Sequence, residues 1–325
     1  MSARQPLLPD LDVVQQIMAR LATAAREEPR LAGAVPSDLI RHVKGKRAIL
    51  RGQIDGRSAI FRIHLDAERG DAQREWDEMQ RLWPHMSQGD LRIPEPICAA
   101  PASGVIVQEE VRGTPLMTLL YELKETERAA YLPPAAAWLR TTTKLSEAWE
   151  PARPQRWIAR AASASAQQPF EQLQHLESQI LAQMERLAPE IEAAPWRTAI
   201  CHGDYHPNNL IADGARLTGI DLGGSRRMPV AKDIARFAMH MGRRRLRLSG
   251  RTQYGVDAGC LAAFARAFEM DTTERTCALP FFLAFEALIR VETTALPPAR
   301  IRRAEKTYHA LLQDLKKTGA GRAPD

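Results

Sequence analysis

The sequence predicts an α+β protein in which a small, β-rich part precedes a larger, mainly helical part. Alternating apolar and polar residues, which are typical of half-buried strands, mark much of residues 36–113. From residue 114 onward, apolar residues mostly recur every three or four positions, as they do in helices. Because the period changes near Glu109–Thr114, we predict an N-terminal helical extension (1–35), an N-terminal lobe (36–113) and a C-terminal lobe (114–325).

The composition is that of a soluble globular protein. The 325 residues are 45% hydrophobic and 26% charged, and the chain is long enough for two domains. No apolar run approaches the roughly 18 residues that cross a bilayer, and the N-terminus lacks the apolar stretch of a secretory signal. The four cysteines are scattered without a CxxC pair, which favours a reducing cytoplasm over a disulfide framework or a zinc site. The net charge of +6 permits anionic ligands but is too diffuse to indicate nucleic acid. We therefore predict a cytoplasmic protein with no membrane partner.

Several elements of the first part carry local signals. The extension contains a predicted helix at 10–27, which begins at Asp10. The segment RAILRGQIDGRSAIFRIHL holds two alternating runs around Asp55-Gly56, a pair that is typical of a β-hairpin turn. A helix is predicted at 71–86, followed by the strands ICAA and VIVQEEV. The residues predicted on the apolar face of that helix are Trp76, Met79, Leu82 and Trp83.

The second part is predicted to be mostly helical. Helices are expected at 115–130, 133–147, 168–187, 231–248, 257–269, 278–295 and 298–317. The runs TAICHG and NLIADGARLTGID are exceptions and look like short strands, the second run turning at Asp213-Gly214. The small, polar tail GAGRAPD is expected to fray.

The stretch AICHGDYHPNNLIADGARLTGIDLGGS concentrates polar side chains on an apolar frame. Asp204 and Asn209 lie on one loop, and Asp221 ends the hairpin that follows. Because a hairpin brings its ends together, Asn209 and Asp221 could present oxygen atoms to one site, and such oxygens suit Mg²⁺. Asp204 would remain as a base or an orienting group. Phosphoryl transfer needs this set, since metal ions neutralise the phosphates and a carboxylate positions the attacking hydroxyl.

The segment HGDYHPNN resembles the catalytic loop of the aminoglycoside phosphotransferase and choline kinase-like families, distant relatives of protein kinases. The pattern H-x-D-x-x-x-x-N is matched by His202, Asp204 and Asn209, and Asp221 matches the later hydrophobic-Asp motif. The resemblance implies a bilobal protein-kinase-like fold, with Asp204 as the catalytic base and Asn209 and Asp221 as magnesium ligands. It also implies that His202 braces the loop and that Asp233, in KDIARF, supports it.

The same resemblance implies a site for ATP in the N-terminal lobe. Arg62, on the second strand of the hairpin, would pair with Glu75 and hold the α- and β-phosphates. Protein kinases have Lys at this position, so Arg62 is a departure from their pattern. Gly45 in VKGKRA would let the backbone approach phosphate. The segment QEEVRGTPL resembles the linker between lobes, where the backbone from Glu109 to Val111 would face the adenine.

The charge of one stretch of sequence predicts the chemical class of the phosphate acceptor. Residues 226–251 contain nine basic residues against one acid, Asp233, a net charge of +8. Aminoglycosides are polycations, so this stretch disfavours them as substrates if it faces the site. We therefore expect a neutral or anionic small molecule that carries a hydroxyl group, with Arg226 and Arg227 closer to the site than Arg243 to Arg247. A solvated basic helix face is the alternative explanation of the stretch.

Three other functions remain to be compared with a MgATP-dependent kinase. A metal-hydrolase site built from His202, Asp204 and His206 has plausible spacing but leaves Asn209 and Asp221 unexplained. A pseudokinase, which binds nucleotide without turnover, is disfavoured because the three motif residues are intact. A nucleic-acid-binding module would place aromatic residues among the arginines of 226–251, where only Phe237 occurs, so we expect no nucleic-acid partner.

Overall fold

A computed structural model of the chain describes residues 11–66, 70–290 and 296–318. These residues form two compact units. The first unit is Met1–Thr114 with Ile211–Ser225, and the second is Pro115–Leu210 with Arg226–Asp325. The predicted helix start at Asp10, the end of the helix predicted at 278–295 and the predicted frayed tail lie outside the described residues.

The strands and helices are numbered in chain order. The strands are β1 (Val35–Val43), β2 (Arg47–Ile54), β3 (Arg57–His64), β4 (Leu91–Arg92), β5 (Pro96–Ala100), β6 (Val105–Glu109), β7 (Thr114–Pro115), β8 (Ala148–Pro151), β9 (Pro195–Cys201), β10 (Leu210–Asp213), β11 (Arg216–Gly219), β12 (Arg226–Pro229), β13 (Thr252–Gln253) and β14 (Val256–Asp257). The helices are α1 (Leu11–Glu27), α2 (Asp71–Met86), α3 (Leu116–Glu122), α4 (Glu125–Arg128), α5 (Leu132–Lys144), α6 (Gln155–Ser165), α7 (Glu171–Glu192), α8 (Val230–Gly242), α9 (Ala258–Ala267), α10 (Leu279–Leu288) and α11 (Pro298–Lys317).

The first unit is built on a five-stranded antiparallel sheet in the order β1-β2-β3-β6-β5. The predicted hairpin is confirmed: β2 and β3 pair from Arg47↔His64 to Ile54↔Arg57. Its turn residues, Asp55 and Gly56, have φ values of 51° and 73°, as a tight hairpin turn requires. Helix α1 buries Ile17, Leu21 and Ala24 in the same apolar core as Phe61 and Val107 of the sheet. The segment predicted as an N-terminal extension therefore contributes to the core of the first unit.

Helix α2 has the bounds that the sequence predicts, but its buried face differs. Met79 and Leu82 are buried as expected, while both tryptophans, Trp76 and Trp83, are only half-buried. Glu75 is buried instead, because it pairs with charged side chains of β3. Apolar spacing alone could not reveal this, since a buried carboxylate depends on a partner elsewhere in the fold.

The hairpin β10–β11 joins a second small sheet, in the order β4-β11-β10-β7. Strand β11 runs parallel to β4, so residues 211–225 group with the first unit although they follow the HGDYHPNN segment in sequence. Gly113 permits this packing: its φ is 126°, and a Cβ atom there would lie 2.4 Å from the carbonyl oxygen of Ala212. The sequence interpretation had placed this hairpin in the C-terminal lobe.

The second unit is mainly helical around a small sheet in the order β12-β9-β8. Helix α6 was not predicted, because its apolar signal is short: the residues that it buries are Trp157, Ile158 and Ala161. The helix predicted at 115–130 divides into α3 and α4, since Leu123 and Lys124 are extended. The helix predicted at 231–248 ends at Gly242. Across the described residues, no helix combines the length and apolar character that crossing a membrane requires.

Candidate active site

The loop between β9 and β10 is held from the first turn of α8. The carboxylate of Asp233 accepts a hydrogen bond of 2.9 Å from the backbone N–H of Gly203, and Lys232 donates one of 2.7 Å to the carbonyl of the same glycine. Asp233 is fully buried. Gly203 has a φ of 83°, a conformation that favours glycine. Asp233 thus contacts the loop that the sequence expects it to support.

Side chains of the loop also brace its own backbone. The Asn209 side-chain amide donates a hydrogen bond of 3.0 Å to the carbonyl of Asp204. The backbone N–H of Asp204 faces Nδ1 of His202 at 3.4 Å. His202 is buried, with its ring centroid 6.1 Å from that of Trp138 and 5.9 Å from that of Tyr205. These contacts fix the backbone on both sides of the Asp204 side chain.

The carboxylate of Asp204 is charged and partly open to solvent. Arg236 donates from Nε to Oδ1 at 2.8 Å, and Arg290 approaches the same oxygen at 3.5 Å. The second oxygen lies 3.3 Å from Nε2 of His206, and 48% of the side chain is exposed. Burial raises the pKa of Asp204, but the hydrogen bond from His206 and the charge of Arg236 outweigh burial, so the pKa lies well below the usual range. Asp204 is therefore ionised at neutral pH.

A fully buried carboxylate, Glu286 of α10, faces the arginines that contact Asp204. Its oxygens lie 3.5 Å from Nζ of Lys232, 3.5 Å from Nε of Arg290 and 4.0 Å from Nε of Arg236. The sequence interpretation missed Arg236, Arg290 and Glu286 as members of this site. One signal was present: Glu286 is the only acid in the apolar run LPFFLAFEAL, and a charge buried in such a helix needs cations around it.

Two histidines stack beside Asp204. The ring centroids of His206 and His240 are 4.3 Å apart, and Asn208 lies within hydrogen-bonding distance of His240 at 3.2 Å. Burial and the charges of His206 and Arg244 lower the pKa of His240 to about 2. The metal site suggested as an alternative, from His202, Asp204 and His206, is not formed: the described part of the chain has no group of three such side chains placed to hold a metal ion.

The first unit contains the predicted pair of Arg62 and Glu75. Nε of Arg62 lies 2.6 Å from Glu75, whose other oxygen is 3.1 Å from Nε2 of His64. Arg62 and Glu75 are both buried. Burial lowers the pKa of Arg62, but the charges of Glu75 and Asp221 outweigh it, so the pKa is raised and the guanidinium stays charged.

Two arginines hold Asp221, the predicted metal ligand. Arg62 donates to Oδ1 at 2.6 Å. Arg47, at the start of β2, donates to Oδ1 at 2.8 Å and to Oδ2 at 3.2 Å. Burial raises the pKa of Asp221, but the charges of Arg62 and Arg47 outweigh it and hold the pKa well below its usual range. The sequence interpretation did not single out Arg47, which sits among several basic residues around Gly45.

Other predicted residues of the nucleotide site lie in the first unit. Gly45 is in the turn between β1 and β2, with a φ of 67° and open space around it. The side chain of Glu109 accepts a hydrogen bond of 3.1 Å from the backbone of Glu95, and Val111 follows the end of β6. Gly223 packs against Glu75: a Cβ atom there would lie 2.7 Å from Oε2. The assignment of Gly45, Glu109 and Val111 to nucleotide binding stays a prediction.

The basic stretch 226–251 does not form one continuous face. Arg226 and Arg227 are exposed on β12, whereas Arg236 is buried against Asp204. Arg243 donates to the carbonyls of Ala287 and Arg290 at 2.8 and 3.0 Å. The arginines of this stretch therefore lie in different environments.

The chain matches the model of the Phosphotransferase enzyme family over residues 45–279. Solved structures resemble it along most of its length. Aminoglycoside phosphotransferase APH(4)-Ia is 17% identical, with a TM-score of 0.56 and coverage of 95% of this chain and all of that one. A choline/ethanolamine kinase family protein from Mesorhizobium loti is 15% identical, with a TM-score of 0.59 and coverage of 93% and 99%. Amicoumacin kinase hAmiN, solved with AMP-PNP, Ca²⁺ and Ami, is 10% identical, with a TM-score of 0.58 and coverage of 92% and 96%.

A comparison with curated protein sequences finds no significant match. The structural likenesses confirm the predicted fold, with a β-sheet N-terminal region and a mainly helical C-terminal part. The family match covers more than half of the chain and confirms the predicted resemblance. The chain therefore belongs to the Phosphotransferase enzyme family and is a small-molecule phosphotransferase with a protein-kinase-like fold.

Proposed function

We propose that the chain transfers the γ-phosphoryl group of ATP, in the presence of Mg²⁺, to a hydroxyl group of a neutral or anionic small molecule. The observation that carries this proposal is Asp204: an ionised, half-exposed carboxylate on a loop braced by Asp233 and Asn209. A carboxylate held in this way can accept the hydrogen bond of an acceptor hydroxyl and orient its oxygen for attack.

The proposed step is a direct transfer between two oxygen atoms. The acceptor oxygen forms a bond to the γ-phosphorus while the bond between that phosphorus and the β,γ-bridging oxygen breaks, and ADP leaves. The hydroxyl proton passes to the carboxylate of Asp204. Because Arg236 and His206 lower its pKa, Asp204 is a weak base, which suits a loose transition state in which the proton moves late. Positioning then contributes more to the rate than basicity does.

We assign the nucleotide phosphates to Arg62. Its guanidinium is buried and oriented by Glu75, as a phosphate-binding cation must be if it is to act without reorganisation. Arginine presents a planar fork where lysine offers a point charge, and in Arg62 Nε faces Glu75 while one terminal nitrogen donates to Asp221.

The residue types also fit a magnesium ion. Asn209 and Asp221 supply the amide and carboxylate oxygens that Mg²⁺ prefers. Bound Mg²⁺ would neutralise charge on the phosphates. Both carboxylate oxygens of Asp221 accept hydrogen bonds from arginines, so Arg47 would compete with a metal ion for this carboxylate.

The charges near Asp204 favour a neutral or anionic acceptor. Arg236 and Arg290 approach its carboxylate, and 38% of the Arg290 side chain is exposed. A polycationic aminoglycoside would bring ammonium groups towards these guanidinium groups, and like charges cost affinity. A neutral or anionic acceptor avoids that cost.

A second function, nucleotide binding without turnover, is favoured by one observation. Arg47 and Arg62 both form ion pairs with Asp221, and these pairs would compete with a metal ion for its carboxylate. The intact side chains at positions 204, 209 and 221 favour the kinase.

The test measures transfer of labelled γ-phosphate from ATP with Mg²⁺ to a pooled panel of metabolites and aminoglycosides. The wild type and the Asp204→Asn variant are assayed in parallel. We expect label to reach a neutral or anionic hydroxyl compound with the wild type alone. Label on aminoglycosides alone would overturn the acceptor class. Binding of MgATP with no transfer to any compound would favour the second function, and the absence of both would overturn the proposal.

A further inference from the structure

A groove lined by arginines lies on the second unit, between the sheet and helix α6. We call it the arginine groove and define it by Arg153, Arg156, Arg160, Arg226 and Arg227. It consists of two cavities of about 290 Å³ each, which share Arg156, Arg227 and Met228 in their linings. Together the two cavities have the volume of a site for a small molecule.

The lining of the groove contains five arginines and one carboxylate. Glu150 is the one carboxylate in the lining of these two cavities, and it lies 3.5 Å from Arg227. Within the described part of the chain, Arg153, Arg156 and Arg160 have no carboxylate as an ion-pair partner. Arg156 and Arg160 also stand one turn apart on α6, where like charges destabilise a helix. A bound anion would offset this repulsion.

The groove is also pre-arranged. The guanidinium of Arg156 lies 5.5 Å from the ring centroid of Trp157, and that of Arg160 lies 5.7 Å from the ring of Phe285. Arg227 donates to the carbonyl of Ser146 at 3.1 Å and approaches the Thr198 hydroxyl at 3.3 Å. Side chains that are already positioned lose less entropy when they bind a ligand.

The form of the groove favours a small anion over a nucleic acid. The tryptophans in its lining, Trp157 and Trp196, are 6% and 5% exposed. Bases of single-stranded RNA or DNA stack on exposed rings, which these buried rings do not offer. Paired cavities walled by guanidinium groups fit compact phosphate or carboxylate groups instead.

The groove adjoins the strand that leads into the catalytic loop. Arg226 pairs with Cys201, the last residue of β9. Asp204 follows three residues later, which is about 11 Å of extended chain at most. A molecule with its hydroxyl at Asp204 could therefore reach the groove with another part.

We propose that the arginine groove binds a phosphate or carboxylate group of the acceptor whose hydroxyl is phosphorylated at Asp204. This inference rests on the proposed function and narrows it, because the acceptor becomes an anionic hydroxyl compound. The groove binds the anionic end, and Asp204 orients the reacting end.

The first experiment measures binding of inorganic pyrophosphate by calorimetry while AMP-PNP with Mg²⁺ fills the nucleotide site. The groove variant is Arg156→Gln with Arg160→Gln. The matched control is Arg302→Gln with Arg303→Gln, which removes the same charge from an exposed part of α11. We expect the groove variant to bind pyrophosphate at least tenfold more weakly than the wild type and the control variant to bind it normally. Equal weakening in both variants, or no weakening, would overturn the proposal.

The second experiment measures transfer to pairs of hydroxyl compounds that differ by a phosphate or carboxylate group. We expect the anionic member to be preferred, and the groove variant to raise its KM at least tenfold while the affinity for AMP-PNP is unchanged. Transfer to uncharged compounds with the same KM in both proteins would overturn the groove assignment but leave the kinase intact. A groove variant that loses affinity for a random single-stranded RNA, but not for pyrophosphate, would also overturn it. Absence of AMP-PNP binding would count against the proposed function, while pyrophosphate would still report on the groove.

Discussion

Asp221 and Asp204, the two carboxylates singled out by the sequence, lie in different units and have different surroundings. In the first unit, both oxygens of Asp221 accept hydrogen bonds from Arg47 and Arg62, and 20% of its side chain is exposed. In the second unit, arginines contact one oxygen of Asp204, His206 lies near the other, and 48% of the side chain is exposed. Arginines of the first unit thus contact both oxygens of Asp221, whereas the carboxylate of Asp204 is accessible to a ligand.

The difference shows that charge alone does not make a carboxylate available to a ligand. His206 and Arg236 hold the pKa of Asp204 below its usual range, and Arg62 and Arg47 do the same for Asp221, so both groups carry charge. Only Asp204 combines charge with access. A new cation at Asp221 would compete with Arg47, and the free-energy cost of that competition should appear in metal-dependent nucleotide binding.

The largest expected effect is that of Asp204→Asn on phosphoryl transfer. We expect the rate to fall by about 10² to 10⁴, because an amide neither orients the hydroxyl as the carboxylate does nor takes its proton. AMP-PNP affinity should be unchanged. Asp213→Asn, which alters an exposed carboxylate at the β10–β11 turn, is the control. A variant at position 204 that turns over normally would show that the open carboxylate is not the base.

Gly223→Ala tests the packing in the first unit, where Glu75 and Arg62 lie beside Asp221. The new Cβ atom would lie 2.7 Å from an oxygen of Glu75, which cannot move freely because Arg62 and His64 hold it. We expect the free energy of unfolding to fall by about 1–3 kcal/mol, as overpacking does in protein interiors, measured by urea denaturation.

Gly33→Ala is the control for that variant, since nothing lies within 4 Å of its Cβ position. Its stability should be unchanged or slightly higher, because alanine restricts the unfolded chain. Equal stability of the two variants would show that the packing around Glu75 is looser than the distances indicate.

The pH dependence of stability tests the surroundings of Asp204, where His240 lies. Burial, His206 and Arg244 lower its pKa to about 2, whereas an unfolded histidine titrates near 6.5. Below pH 6.5 the unfolded chain therefore binds a proton that the folded chain does not. His240 should thus lower the free energy of unfolding by up to about 1.4 kcal/mol per pH unit as pH falls.

His240→Asn should remove this part of the slope between pH 6 and 4.5, measured by chemical denaturation. A parallel series at pH 8, where the histidine is neutral in both states, gives the effect of packing alone. Asp204 and Arg236 are the other charged groups near His240. An unchanged slope in the variant would mean that the folded chain binds a proton at His240 as readily as the unfolded chain does.

The smallest expected effect is that of Arg47→Gln on metal dependence. The pair of Arg47 and Asp221 is partly exposed, so we assign it about 1 kcal/mol. Its removal should lower the Mg²⁺ concentration for half-maximal AMP-PNP binding about fivefold. Arg57→Gln, which breaks an exposed pair with Glu95 on the same sheet, should have no effect. A higher Mg²⁺ requirement in the first variant would mean that Arg47 assists the nucleotide site and does not block it.

Much of the fold followed from local sequence signals. The turn at Asp55-Gly56 and the bounds of α2 were predicted correctly because turn chemistry and apolar period act over a few residues. The pair of Arg62 and Glu75 could be predicted because the family resemblance assigns both positions. Helix α6 was missed because it has few apolar residues to mark a period.

The sequence by itself determined the kinase-like order of motifs: the hairpin with Arg62, the loop with Asp204 and Asn209, and the later Asp221. Only the tertiary structure decided which cations meet these carboxylates. Arg47 and Asp221 are 174 positions apart, and Arg290 and Asp204 are 86 apart. No periodicity spans such separations. A charged side chain selects its partner through burial and distance in the folded chain, and both arise from packing of the whole unit.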